Sequence, residues 1–192
     1  QREISGMGSV FRRKRGVRVK SSSGTDVEFQ TGGRWVLEDN GICNRPGQVS
    51  NLPAGKVFVL PKEGTMNGRI VIDGSWEGSI LSEPISLVVE KGLVVDISGD
   101  ELVEDVKSVF DLARAGIRSS KRDLVWTVAE FGFGMNPKAT DLVGSRVEDL
   151  VMRGSSYFGF GDNTHIGGSA RVGFHLRGVV RNPEVILEDA TI

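Results

Sequence analysis

Short runs that alternate apolar and polar residues, each closed within a few positions by glycine, constrain this chain more than any other feature. Residues 17–20 (VRVK) and 26–30 (DVEFQ) carry their apolar side chains in period two, as half-buried strands do, and SSSGTD turns the chain between them. Gly32-Gly33 makes a second turn before a strand at 34–38, and 39–51 is irregular. Strands follow at 57–60 and 69–73, and 84–90 pairs with 93–97 as a hairpin across Lys91-Gly92. The 26 glycines against 6 prolines fit many short strands joined by glycine turns. One helix stands out. Leu102, Val106, Val109 and Ala113 recur at helical spacing with Val103 and Phe110 beside them. Asp100 suits its N-cap or first turn, and Gly116 the position past its end. A second, shorter helix is predicted over 141–151. The expected class is α+β: a mainly antiparallel β-sheet or barrel-like domain with one or two helices.

Composition narrows the function. The 24 Lys+Arg against 25 Asp+Glu leave a net charge of −1, which argues against a dedicated nucleic-acid or membrane-surface partner. A single cysteine, Cys43, excludes an internal disulfide and suits a reducing, cytoplasmic setting. No apolar run reaches the roughly 18 residues of a membrane span, and no secretory signal is visible. The sequence opens on Gln1 rather than Met, as a piece of a longer protein would. Residues 1–16, with Arg12, Arg13, Lys14 and Arg15 in a row, read as a solvated basic segment leading into one domain over 17–192. A phosphate-binding arm is the alternative for that cluster, without an aromatic or glycine pattern to support it.

Candidate chemistry lies in the last third, in LVWTVAEFGFGMNPKA (124–139) and GSSYFGFGDNTHIGGSARVGFHLRGVV (154–180). Taken as a strand, 124–130 puts Leu124, Trp126, Val128 and Glu130 on one face. A carboxylate in such a row is costly unless it is paired, hydrogen-bonded or metal-bound, or reaches solvent at the strand end. His175 shares a predicted face with Arg171, Gly173, Arg177 and Val179, opposite Val172, Phe174, Leu176 and Val180. That polar face is either plain surface or the wall of a cleft. His165, in GDNTHIGG, reads as a loop residue before a ligand. No G-x-S-x-G, H-E-x-x-H or phosphate loop is present, and Cys43 has no histidine near it in sequence.

GTD (24–26), NLPAGKVFVLPKEGTMNG (51–68), AEFGFGMNPKA (129–139), GFGDN…GG (159–168) and FHLRGVVRNPEVILEDATI (174–192) occur here in the order of a known group. From residue 17 onward the chain resembles the C-terminal catalytic domain of the aminopeptidase T family of metallopeptidases, to which dihydroxypyridine dioxygenases are distantly related. The resemblance implies a hydrolase fold with two divalent cations, Zn or Co being typical, and a homodimer. In that family an N-terminal domain precedes this one; whether such a domain or a partner chain completes the cleft is left open by the sequence.

The family's six metal ligands fall here on Lys56, Glu130, Tyr157, Thr164, His175 and Arg177. By this resemblance only Glu130 and His175 keep a ligand, while Lys56 and Arg177 reverse the charge of two carboxylates. Lys56, Glu130 and Arg177 together carry +1 before any metal arrives. Two unit charges about 4 Å apart repel by roughly 4 kcal/mol at an effective dielectric of 20. The leading expectation is therefore a degenerate metal site without cofactor, in a non-catalytic binding or structural module. In it, Lys56 or Arg177 pairs with Glu130 in the metal's place. The alternative is an active metal-dependent aminopeptidase or a mononuclear-iron dioxygenase-like enzyme. Glu130 and His175, with His165 and Tyr157, would then hold Zn, Co or Fe.

Overall fold

A computed structural model of the protein describes residues 2–31, 33–99 and 102–188 and has the α+β class. Helix α1 (Arg2–Arg13) leads into β1 (Gly16–Lys20), β2 (Asp26–Gln30), β3 (Val36–Asp39), β4 (Lys56–Val59) and β5 (Asn67–Ile72). Two short strands, β6 (Ser75–Trp76) and β7 (Ser79–Ile80), precede the hairpin of β8 (Ile85–Glu90) and β9 (Leu93–Ser98). Helix α2 (Leu102–Ala115) is followed by β10 (Val128–Gly134), β11 (Ser155–Gly161), β12 (His175–Arg181) and β13 (Glu184–Glu188).

The strands form two antiparallel sheets. One has the order β13-β1-β2-β5-β8-β9 and the other β3-β4-β10-β11-β12-β6-β7. They pack face to face: Val17, Val19, Val27 and Phe29 of the six-stranded sheet meet Phe131, Phe158, Phe160 and Val180 of the seven-stranded one. The Phe29 and Phe131 rings touch edge to face at 5.3 Å, a favoured aromatic geometry. Period-two alternation supplies this core directly, because every second residue of β1, β2 and β11 points into it.

Four local expectations are corrected. The basic N-terminal segment is not solvated throughout: it forms α1, which buries Ile4 and Phe11 and stacks Phe11 on Phe133 at 5.3 Å. Its basic end is held by an Arg12–Glu38 ion pair at 2.9 Å. In α2 the buried stripe is Val103, Val106 and Phe110, while Leu102 and Val109 face outward; Asp100 lies outside the described residues. The helix predicted over 141–151 shrinks to a 3-10 turn at Asp149–Val151. Asp149 accepts the Val143 N–H and Ser145 Oγ accepts the Val147 and Glu148 N–H groups, so side chains take donors that a helix would have used. Residues 124–126 belong to a 3-10 segment, Ser119–Trp126, rather than to a strand. Trp126 leaves the sheet to stack on Phe110 of α2 at 4.4 Å. Among the described residues, no helix is long and apolar enough to cross a membrane.

Candidate functional site

The β10–β11 ladder divides its residues sharply between two faces. Phe131 and Phe158 fill the core, while Glu130, Gly132, Tyr157 and Gly159 lie on the other face of the sheet. A β-bulge puts Glu130 there. Val128 pairs with Phe160 and Glu130 with Gly159, so Ala129 is an extra residue in β10. Val128 stays in the core, and the added residue turns Glu130 away from it. Strict alternation through Val128 would have driven the carboxylate into the phenylalanine layer.

Glycine clears the floor. A Cβ on Gly132 would stand 2.5 Å from the Tyr157 ring, and one on Gly159 would stand 2.6 Å from His175 Nε2 and 2.9 Å from Glu130 Cβ. Tyr157 and His175 can lie flat against the sheet only because these two positions carry no side chain.

Glu130 is 1% exposed and is the hub of the cluster. Tyr157, itself fully buried, donates its hydroxyl to Oε1 at 2.5 Å. Arg177 Nη2 lies 3.3 Å from Oε2. His175 Nε2 lies 3.1 Å from the same oxygen, but without hydrogen-bond alignment, which leaves this buried nitrogen without a partner. Burial pushes the Glu130 pKa up; the His175 contact, the Arg177 charge and the Tyr157 hydroxyl outweigh it and bring it down to about 2. Burial and the Glu130 charge push the Tyr157 phenol well above its ordinary range.

His175 opens β12, and its Nδ1 lies 2.7 Å from the Asp162 carbonyl oxygen. A carbonyl only accepts, so in the neutral ring Nδ1 carries the proton and Nε2 keeps its lone pair. His165, in the 3-10 turn Thr164–Ile166, meets His175 edge to face at 5.0 Å. Although His165 is exposed as a residue, partial burial of its ring and the neighbouring His175 lower its pKa, which favours the neutral ligating form. One oxygen of Glu130 and one nitrogen each of His165 and His175 all lie within 4.8 Å of one another.

The other sequence candidates separate. Thr164 donates its hydroxyl to Asp162 Oδ1 at 2.5 Å. Lys56 is 6% exposed, with Nζ over the Phe58 and Tyr157 rings at 5.4 and 5.6 Å, and forms no salt bridge with any described carboxylate. Of the two expected partners of Glu130, Arg177 makes the contact and Lys56 does not. Arg171 is exposed, before β12 begins.

Two residues escaped the sequence reading. Asp162 organises both histidines: its carboxylate accepts the Thr164, Val172 and Gly173 N–H groups while its carbonyl faces His175. Burial opposes ionisation of Asp162, but these donors hold its pKa well below the usual carboxylate range. An aspartate two residues before a threonine is an Asx-turn signal that could have found it. Glu77, in the turn between β6 and β7 and 100 residues away in sequence, accepts the Arg177 N–H at 2.6 Å, with no sequence signal.

With this geometry in place, comparison with known proteins is decisive. The family model for NicX, 2,5-dihydroxypyridine 5,6-dioxygenase, matches residues 1–192. The chain belongs to that family. A 2,5-dihydroxypyridine 5,6-dioxygenase of Pseudomonas putida is 24% identical over 210 residues, covering 100% of this chain and 56% of that protein. The solved structure of 2,5-dihydroxypyridine dioxygenase from P. putida KT2440 superposes with a TM-score of 0.84 at 23% identity, over 97% of this chain and 55% of the other. Wild-type AmpT from Thermus thermophilus gives 0.68 at 15% identity, over 98% of this chain and 49% of the other. The chain thus spans about half the length of the relatives it matches. The aminopeptidase T resemblance holds at the level of the fold; the expectation of a hydrolase is overturned, since the matching family is one of dioxygenases, which are oxidoreductases.

Proposed function

We propose that this chain is a domain of a mononuclear non-haem iron dioxygenase that opens a hydroxylated pyridine or closely similar ring. The observation that carries this reading is the convergence of Glu130, His165 and His175 donor atoms within 4.8 Å. Two imidazoles and one carboxylate, with remaining positions open, form the donor set of non-haem Fe(II) oxygenases. The residues fit such an ion in their chemistry as well as their number. Glu130 is held ionised, and the Asp162 carbonyl leaves the His175 Nε2 lone pair free.

A ferrous ion would be held by Glu130, His165 and His175, and when bound it supplies the electron transfer to O₂ that no side chain of the cluster can perform. The chain's own residues do the rest. Tyr157 fixes the orientation of Glu130 through Oε1, leaving Oε2 toward the histidines. The Asp162 loop sets the tautomer of His175 and anchors the turn that carries His165. Arg177 keeps a cation beside Oε2.

That last contact favours a second reading, in which the guanidinium stands in the metal's place and the domain binds a ring without opening it. Anaerobic loading with Fe(II), followed by oxygen uptake in the presence of 2,5-dihydroxypyridine, separates the two. Oxygen consumption with loss of the ring's ultraviolet absorbance, abolished in Glu130→Gln, supports the dioxygenase. No uptake by the loaded wild-type protein removes it in favour of the second reading.

A further inference from the structure

We propose that Glu63 and Arg34 are positioning residues for His165. From two neighbouring loops they clamp the far side of its loop, so that the imidazole stays beside His175 instead of swinging into solvent. The inference rests on the reading of Glu130, His165 and His175 as one metal-binding unit, and it names what fixes the most exposed of the three.

His165 is the member of the cluster that regular secondary structure does not place. Glu130 and His175 lie on β10 and β12 within an antiparallel ladder. His165 stands in a single 3-10 turn and is exposed. A ligand on a loop is only as well placed as the hydrogen bonds that hold the loop. On the inner side, Asp162 accepts the Thr164, Val172 and Gly173 N–H groups. Buried Asn163 takes the Ala170 N–H on its side chain and the Gly168 N–H on its carbonyl, each at 2.8 Å.

The outer side is met by one charge pair. Glu63 lies between β4 and β5, Arg34 between β2 and β3, and both are half-buried. Glu63 Oε2 accepts from Arg34 Nη2, while Oε1 accepts from the Ser169 N–H and from Ser169 Oγ, both at 3.3 Å. Arg34 Nη1 reaches the Gly167 carbonyl oxygen at 3.4 Å. Both halves of the pair thus land on residues 167–169, directly after the turn that carries His165. The clamp has a firm base. Lys62 N–H donates to the Gln30 carbonyl at 2.7 Å and Gln30 N–H to Thr65 Oγ1 at 3.1 Å, which ties the Glu63 turn to β2 of the other sheet. An isolated exposed ion pair would contribute little. Here carboxylate and guanidinium each commit a further polar atom to the loop, so the contacts fix its direction as well as its distance.

The test reads His165 first without metal and then with it. In metal-free wild-type protein carrying isotope-labelled histidine, ring-proton cross-relaxation between His165 and His175 is expected, since the ring centroids lie 5.0 Å apart. Glu63→Ala should abolish that cross-peak while the core aromatic resonances stay in place. Glu63→Gln, which keeps an acceptor for Ser169, should retain most of it. In anaerobic Fe(II) titration, Glu63→Ala should weaken binding about tenfold, the low end for residues that orient a ligand, and should cost nothing further in a His165→Ala background. Arg34→Ala should match Glu63→Ala, and the double variant should lose little more than either alone, because the pair acts as a unit. A wild-type chain without the cross-peak, or a folded Glu63→Ala protein that keeps it, overturns the proposal. So does an equal loss of affinity with and without His165. A cross-peak that depends on Glu63 in a protein that binds no Fe(II) sinks only the metal reading. Binding that needs His165 but not Glu63 sinks only this inference.

Discussion

The two faces of the β10–β11 ladder are built from the same short sequence and do opposite things. On one face Phe131 and Phe158 are fully buried and interlock with Phe29 of the facing sheet. On the other, Gly132 and Gly159 remove bulk so that Tyr157 and His175 can lie against the backbone around Glu130. The first face stores stability by filling space. The second spends space on polar groups that satisfy one another only in part, and the bulge at Ala129 decides which face receives the carboxylate. Substitutions on the two faces should therefore differ in what they damage: the fold on one, the charge cluster on the other.

The largest effect is expected on the filled face. Phe158→Ala should destabilise the protein by about 3–5 kcal/mol, the usual cost of emptying a phenylalanine site, as measured by denaturant unfolding. A cost under about 1 kcal/mol would mean that this face is not the core.

Next comes the acid response of the site face. The folded pKa of Glu130 is depressed from 4.5 to about 2, so its contribution is fully present above pH 4.5 and is lost as pH falls through about 2. In metal-free protein this should appear as on the order of 3 kcal/mol of stability lost across that window. Glu130→Gln should flatten the curve there. Identical acid profiles for the two proteins would show that the cluster does not hold the carboxylate ionised.

Gly159→Ala should cost about 1–3 kcal/mol, the range for overpacking a close contact, because its methyl group would meet His175 and Glu130. Its sharper signature is a moved His175 imidazole resonance with the core's aromatic resonances in place. A shift of the core instead would blur the division between the faces. The smallest effect is expected well away from both: Asp26→Asn, which breaks an exposed pair with Arg18 on β1, should unfold within error of wild type at physiological salt.

Much of this architecture was legible in the sequence, and the failures are instructive. Alternation located β1 to β5, the 84–97 hairpin and β12, where a strand buries one face and period two is informative; it did not find β6, β7, β11 or β13, and β11 is buried along its whole length. Glu130 and His175 were visible as polar residues on apolar strands. The route of Glu130 was not, because a bulge changes which face a residue takes without changing composition. Trp126 was misplaced because its stacking partner, Phe110, is a tertiary contact. Helix α1 was hidden by its basic end, although Ile4 and Phe11 lie seven residues apart on one helical face. His165 read as a loop residue, which it is; the Asp162 hydrogen bonds, signalled in sequence by nothing more than the Asx-turn spacing to Thr164, help bring that loop to His175.

The account's central claim is that Glu130, His165 and His175 form one metal-binding unit, and anaerobic calorimetric titration of the metal-free protein with Fe(II) tests it most directly. The account predicts one ion bound per chain, with affinity reduced at least about 100-fold in Glu130→Gln and in His175→Ala, more than the 10–100-fold typical of an outer-sphere partner. It predicts a comparable loss in His165→Ala, whose loop position makes it the easiest of the three to change without disturbing the sheet. Absence of binding, or binding that survives loss of either histidine unchanged, would contradict it.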